Sequence, residues 1–334
     1  MDDVLDFQTR LERLLAPAGW PWRVEVVAST GSTNVDLVER ARRGRCPEYT
    51  VLVALEQVAG RGRLDRTWSV PPGTSVTMSM AVPLPSDQAS LGLVPLATGV
   101  AVVRAVDALA AATGLPARMA RLKWPNDITI GEKKLCGILV EVAGRLAVIG
   151  VGINVAQTAE NIGLDSATSL VMAGLVRPGG RSGPEPVARE DVAAAVLAQM
   201  GTLLPDLDDP DGRRRLLAEY RGASATIGRR VEIHANADQG TALGLSERQV
   251  GEALDITDDG QLLVVVDGQT RAFASGDVVH VRGAGATAPM MTDDEFIATG
   301  WPARIQPVAG KALDIWLLRG RFSEDVDEEG SVSI

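Results

Sequence analysis

Histidine is nearly absent from this chain: two in 334 residues, His234 and His280, both late. Everything before position 234 must work without an imidazole base, which disfavours Ser-His-Asp, Cys-His and His-rich metal chemistry there. Cysteine also occurs only twice, as Cys46 and Cys136. Two cysteines do not make a disulfide scaffold, and both are expected to be free thiols in a reducing compartment. No run of 18 apolar residues is available to cross a membrane. The opening M-D-D-V-L-D-F is acidic where a secretory signal would be basic, so the expectation is a cytoplasmic protein with no membrane role. The net charge of −10 lacks the basic excess that a nucleic-acid surface needs. Two nucleotide fingerprints are missing as well. There is no Walker A sequence, and Gly150 and Gly152 are not followed by a third glycine that opens a helix. Lysine is almost as scarce as histidine, four residues against 29 arginines, yet Lys123, Lys133 and Lys134 fall within twelve positions. A chain that defaults to arginine has placed lysine where a compact, rotatable point charge is useful in place of a planar fork.

What is present fits a main domain with a smaller one behind it, since 46% of the residues are hydrophobic and the length exceeds one average domain. Residues 1–22 read as a helical lead-in, with apolar positions Val4, Leu5, Leu11, Leu14 and Leu15. Residues 23–222 alternate strand-like and helix-like patterns, including an apolar helix from Leu91 to about Thr113 and a run of hairpins through Val155. Hairpins imply a mixed, largely antiparallel sheet with helices packed on one face, an α+β fold. Residues 223–283 change to short β segments with D-D-G and D-G turns, a small β-barrel. Residues 284–334 are irregular and end in acid, and they read as a dispensable tail except for the apolar segment Leu313 to Leu318.

Several polar stretches invite chemistry. After the apolar run Val51 to Leu55 comes E-Q-V-A-G-R-G-R-L-D-R-T-W, in which Arg61, Arg63 and Arg66 interleave with Gly60 and Gly62. Glycine lets backbone approach a ligand while guanidinium groups converge on it, so the run suits an anion; a solvated turn has the same composition. Ser32, Thr33 and Asn34 open a helix, where they either cap it or offer hydrogen bonds to a carbonyl or ureido group. Trp68 serves either as a core aromatic or as a face for a flat ring.

Taken in order, S-T-N, Q-x-x-G-R-G-R…W, K-W-P-N-D, K-x-x-G-I-L-x-E and G-x-G-x-N-V, followed by a small β unit, resemble the biotin–protein ligases over about residues 23–283. The resemblance is to the monofunctional form without a DNA-binding domain, and it implies a biotin/lipoate ligase-like catalytic domain with an SH3-like C-terminal barrel. It further implies that biotin and ATP, with Mg²⁺, yield biotinyl-5′-adenylate, and that the biotinyl group passes to a lysine of a biotin carboxyl carrier protein. Neither nucleic acid nor membrane is implied as a partner, and a homodimer stays open. By resemblance, Ser32, Thr33, Asn34, Gln57, Arg61, Gly62, Arg63 and Lys123 meet biotin. Lys123 and Arg63 serve the chemistry, with Lys123 between the biotin carboxylate and the α-phosphate. Arg63, Arg66, Trp68, Lys123, Asn126, Lys134, Gly137 and Asn154 meet ATP, with Trp68 and Asn154 at the adenine; Asn126 and Asp127 help place Mg²⁺ through water. A lipoate–protein ligase uses the same acyl-adenylate logic and remains an alternative, as does a non-catalytic biotin sensor.

Overall fold

The computed structural model describes residues 2–64, 66–116, 118–177, 183–234, 248–274 and 276–281. The expected tail from residue 284, with Leu313 to Leu318, lies outside them, as does Asp65. The first helix, α1 (Asp2–Leu15), buries Phe7, Leu11 and Leu15 at helical spacing. Leu5 points away and is exposed, and Phe7 takes its place in the core, a one-face pattern that counting apolar residues alone misses.

Strand β1 (Arg23–Thr30) leads into α2 (Thr33–Arg42) and then β2 (Thr50–Gln57). A two-residue ladder, β3 (Gly60–Arg61) with β4 (Thr67–Trp68), makes the arginine run a hairpin, with Gly60 opposite Trp68. Next come β5 (Ser75–Pro83) and α3 (Val94–Ala112), the helix starting at Val94 after a 3₁₀ turn over Gln88–Leu93. The hairpin run is β6 (Ala120–Lys123), β7 (Asp127–Ile130), β8 (Lys133–Ala143) and β9 (Leu146–Asn154). These strands form one mixed sheet of order β1-β2-β5-β9-β8-β7-β6, antiparallel throughout except for the β1–β2 pair.

A minor pair, β10 (Val176–Arg177) with β11 (Glu185–Pro186), precedes α4 (Arg189–Leu203) and α5 (Pro210–Ala223). Side chains alternate across each strand, so Val51, Val53, Met78, Met80, Ile149, Val151 and Ile153 all enter a core shared with α1, α3, α4 and α5. Leu52, Ala81 and Val148 point the other way and pack with Leu37 and Val38 of α2. The helices therefore do not all lie on one face: α2 covers the end of the opposite face and leaves the rest of it open.

The C-terminal unit is a five-stranded antiparallel sheet of order β15-β14-β13-β12-β16, from β12 (Arg230–His234), β13 (Arg248–Ile256), β14 (Leu262–Val266), β15 (Gln269–Phe273) and β16 (Asp277–His280). Among the described residues β15 and β16 are its edges and do not pair, so closure into the expected barrel is not shown. It is fastened to edge strand β6. The Ala225 backbone donates to the Leu122 carbonyl, the Trp124 indole donates to the Gly260 carbonyl at 3.0 Å, and Arg221 pairs with Asp255 at 2.6 Å.

Candidate active site

The open part of the sheet face is the floor of a cavity of about 260 Å³. Its central strand is β9, whose residues alternate between the helical core and the cavity; Gly150, Gly152 and Asn154 take the cavity side. The two glycines are required by what lies over them. A Cβ on Gly150 would come within 2.8 Å of the Asn34 Oδ1, and one on Gly152 within 2.6 Å of the Trp68 ring. The G-x-G pair thus clears the floor for two side chains delivered by other elements, and has nothing to do with a dinucleotide turn.

One end of the cavity is built by α2. None of its first polar side chains caps the helix: Ser32, the N-cap, makes no side-chain cap bond. Instead the Thr33 N–H and hydroxyl both donate to the Gln57 Oε1, at 2.8 and 3.0 Å, and the Thr33 hydroxyl lies 2.8 Å from that of Ser79. Gln57 is the last residue of β2, so a strand end and a helix start are tied together. Asn34, 3% exposed, donates its Nδ2 to Glu141 at 2.5 Å. Its Oδ1 is buried and has no partner. A carboxylate accepts only, so Glu141 holds the Asn34 amide with its nitrogen outward and its oxygen over the floor. Glu141 is a contributor that motif reading passed over, although it ends the K-x-x-G-I-L-x-E pattern.

The hairpin of β3 and β4 forms the lid. Arg61, Gly62, Arg63 and Arg66 all line the cavity, and Arg63 donates to the Asn126 Oδ1 at 3.0 Å. Leu64 turns the hairpin with φ of +56°, a left-handed conformation that disfavours a branched side chain. Asn126 also donates to the Ile138 carbonyl at 2.8 Å, so it anchors the lid to β8. Between the two ends stands Lys134, ion-paired with Asp127 at 2.6 Å and 6.0 Å from the Trp68 ring centre. Its backbone donates to the Ser166 carbonyl and accepts from the Thr168 N–H, which fixes the far wall. The side chain crosses Gly137, where a Cβ would meet the Lys134 Nζ at 3.2 Å.

The far end pairs Trp68 with the buried Asn154. Asn154 donates to the Thr168 carbonyl at 2.9 Å and accepts from Gln157 at 3.0 Å, so both ends of its carboxamide are engaged within the scaffold. Gln157 was not foreseen from sequence.

Lys123 is the register partner of Asp127, which lines the cavity. Among the described residues that line the cavity, Lys134 is present and Lys123 is not. In the sheet β6 is the edge strand, three places from β9, whereas β8 adjoins β9. Lys123 also lies near His280 of the C-terminal unit. Burial, then the charges of Lys123 and Arg229, push the His280 imidazole down to about 4. Within the K-W-P-N-D stretch, Trp124 bonds the C-terminal unit, and Asn126 and Asp127 line the cavity. Lys133, next to Lys134, is exposed.

A resident metal does not fit the donors in place. Asn126 is engaged by Arg63 and Ile138, Asp127 by Lys134, and among the described residues no group of three His, Cys, Asp or Glu side chains could hold an ion.

The cavity thus has an amide-lined end, a cationic middle under an arginine hairpin, and an aromatic end. The profile of the biotin/lipoate A/B protein ligase family matches residues 26–155, and that of the biotin protein ligase C-terminal domain matches residues 226–281. The biotin–[acetyl-CoA-carboxylase] ligase of Mycobacterium tuberculosis is 36% identical over 280 residues, spanning 83% of this chain and 96% of that protein. The chain belongs to the biotin protein ligases of this family. The bifunctional ligase/repressor BirA of Escherichia coli is 27% identical over 263 residues, 76% of this chain and 73% of that one. Among solved structures, a biotin protein ligase from Aquifex aeolicus in complex with biotin and ATP shares the fold with a TM-score of 0.59, at 24% identity over 78% of this chain and 99% of that chain.

Proposed function

We propose that the protein condenses biotin with ATP to biotinyl-5′-adenylate and then transfers the biotinyl group to a lysine of a biotin carboxyl carrier protein. A biotin carboxylate oxygen attacks the α-phosphorus and pyrophosphate leaves. The carrier's lysine amine then attacks the acyl carbon, AMP leaves, and the amine gives up a proton. The carboxylate is already ionised at neutral pH, so the first step needs no general base, in keeping with a cavity that has no histidine. What it needs is charge neutralisation between two anions. Lys134, a compact cation lining the cavity, supports this role beside the one the resemblance gives Lys123, and Arg61, Arg63 and Arg66 would close over the phosphate. Mg²⁺ would arrive with the nucleotide, since phosphates supply most of its ligands in such sites.

The observation that carries the choice of acid is the unpartnered Asn34 oxygen. A buried acceptor needs a donor, and a ureido ring brings N–H groups where a dithiolane brings none. That favours biotin over lipoate. The Lys134 and arginine cluster favours catalysis over a purely sensing role. Cytoplasmic residence is proposed with it, Cys46 and Cys136 being free thiols.

The test is exchange of labelled pyrophosphate into ATP, with biotin, with lipoate and with neither. Exchange with biotin alone is expected. Exchange driven by lipoate, or none with either acid, would overturn the assignment.

A further inference from the structure

A second cavity, of about 240 Å³, opens next to the residues that lead into β1 and shares no described lining residue with the first. Its lining is apolar: Trp20, Trp22, Tyr49, Leu84, Leu204 and Leu207, together with four prolines. The Trp22 indole donates to the Leu197 carbonyl at 3.1 Å and its ring meets that of Tyr49 edge-on at 6.0 Å, so this aromatic pair is fixed. Trp20 is given its place by a glycine. Gly201 stands inside α4, where glycine weakens a helix, and a Cβ there would come within 2.6 Å of the Trp20 ring. The Trp20 Nε1 is buried and has no partner, which native structures rarely leave so. The cavity therefore suits apolar side chains accompanied by an acceptor, and a peptide brings both, the acceptor being its backbone carbonyl.

Charge at the rim and the length of the chain decide which peptide. Asp208 lines the cavity, its Oδ1 accepts the Ser86 N–H at 2.7 Å, and it forms no ion pair among the described residues. Around it Asp206 and Asp209 share Arg215, Asp211 pairs with Arg214, and Asp87 lies 3.9 Å from Arg213. Five aspartates are thus set against three arginines, and the rim keeps an acidic excess. In a chain of net charge −10, the apolar segment 313–318 is flanked by cations, Lys311 and Arg319, and Lys311 is the one lysine outside the 123–134 group. The C-terminal unit, from which this segment follows, abuts the 3₁₀ turn Gln88–Leu93, where a Cβ on Gly92 would meet the Asp259 carbonyl at 2.3 Å. From Gly92 back to Ser86, at the cavity, is about 12 Å at the usual 3₁₀ rise. The intervening residues 282–312 would span about 30 Å even as a flexible coil, and such a tether gives an effective concentration on the order of millimolar. We propose that the second cavity seats the chain's own segment 313–318, with Trp316 in the aromatic slot and Lys311 and Arg319 along the aspartate rim, strapping the C-terminal unit to the catalytic domain. The inference is independent of the adenylate-forming reading.

The experiment uses the full 334-residue chain with p-benzoylphenylalanine in place of Trp316. Irradiation is expected to join it, within one chain, to cavity residues such as Trp22, Leu204 or Pro205, located by peptide mass spectrometry. Lys311→Glu combined with Arg319→Glu should cut that yield severalfold. In parallel, Leu317→Asp and Pro205→Arg should each lower the melting temperature by about 2–4 °C. Together they should lower it no further than the larger single shift, since both break one contact. Pro205 is exposed and outside the catalytic cavity, so biotin-dependent pyrophosphate exchange should be unchanged and serves as the control for folding. Should Pro205→Arg fold poorly, the cross-link and Leu317→Asp decide. A cross-link between two chains would make a second copy the occupant and overturn the proposal. Product confined to other surfaces, no shift from Leu317→Asp, or additive shifts in the double variant would overturn it equally.

Discussion

Exchanging the two lysines' fates is the sharpest perturbation the structure offers. Lys134 lines the cavity and Lys123 is not among its described lining residues, so, on cavity geometry, Lys134→Ala should disable adenylate formation while Lys123→Ala should not. Two unit charges about 4 Å apart interact by about 4 kcal/mol at an effective dielectric near 20. Asp127, 2.6 Å from Lys134, already offsets part of that charge. A net loss of about 3 kcal/mol is therefore reasonable, or roughly two powers of ten in rate. Stability should change little, because the Lys134–Asp127 pair is partly exposed and such pairs contribute at most about 1 kcal/mol. Lys134→Arg keeps the charge, but the lysine crosses Gly137 with its Nζ 3.2 Å from where a Cβ would stand, and the Trp68 ring is only 3.4 Å from that point. A planar guanidinium has no room there and should rescue less than tenfold of the loss. The assay is single-turnover adenylate formation at saturating biotin and ATP, with thermal melting as a control for folding. A Lys134→Ala enzyme within about threefold of wild type, alongside a Lys123→Ala enzyme slowed a hundredfold, would refute the assignment from cavity geometry and restore Lys123 to the chemistry.

Gly150→Ala should crowd the Asn34 Oδ1 and Gly152→Ala the Trp68 ring, so the first should raise KM for biotin about tenfold or more and the second KM for ATP, each by steady-state kinetics; the reverse pairing would mean that the two ends are misassigned. Asn126→Ala removes the Arg63–Asn126 bond, one tie between the lid and β8, so adenylate should still form but escape sooner, read as faster appearance of biotinyl-adenylate in a rapid filtrate; unchanged retention would show that the Arg63–Asn126 bond does not hold the lid shut. His280 is held neutral by burial, with Lys123 and Arg229 beside it and Glu132 opposing them, its pKa lowered from 6.5 to about 4. A base with a lowered folded pKa binds fewer protons folded than unfolded, so its share of stability is complete above pH 6.5 and is lost as pH falls toward 4. That share is at most about 3 kcal/mol, reduced by partial solvent access. Urea melts at pH 7, 5.5 and 4 should weaken less steeply for His280→Gln than for wild type, and parallel slopes would exclude the effect.

Much of the architecture was legible because it rests on local patterns. The strand alternation, the hairpin turns and the change to short β segments after Ala223 are written in consecutive residues. Glycine and arginine alternating within seven positions suggested an anion site or a solvated turn, and the run forms a hairpin that lines the cavity. The features that were not legible depend on which elements pack side by side. Leu5 and Phe7 differ in burial because of where α4 packs on α1.

The lysines make the same point with more consequence. Lys123 and Lys134 lie eleven residues apart, and composition treats both as rare point charges. Their difference comes from the sheet order, which puts β8 beside β9 and β6 at the edge, where it receives the C-terminal unit through Leu122 and Trp124. Once that order is known, the glycines of β9 gain a meaning that no linear motif carries. A strand between two neighbours cannot move aside for a ligand, so space over it has to come from missing side chains. Gly150 and Gly152 supply it at alternate positions on one face, and Asn34 and Trp68 occupy it from outside the sheet. The Asn34 amide is then fixed by a hydrogen-bond partner on a further element, Glu141. That relay ends in an oxygen that accepts nothing from the protein, at one end of a cavity whose middle is cationic. The ligand that satisfies both must carry an N–H donor at that end and an anion beyond it, a description that biotinyl-adenylate meets with its ureido ring and its phosphate.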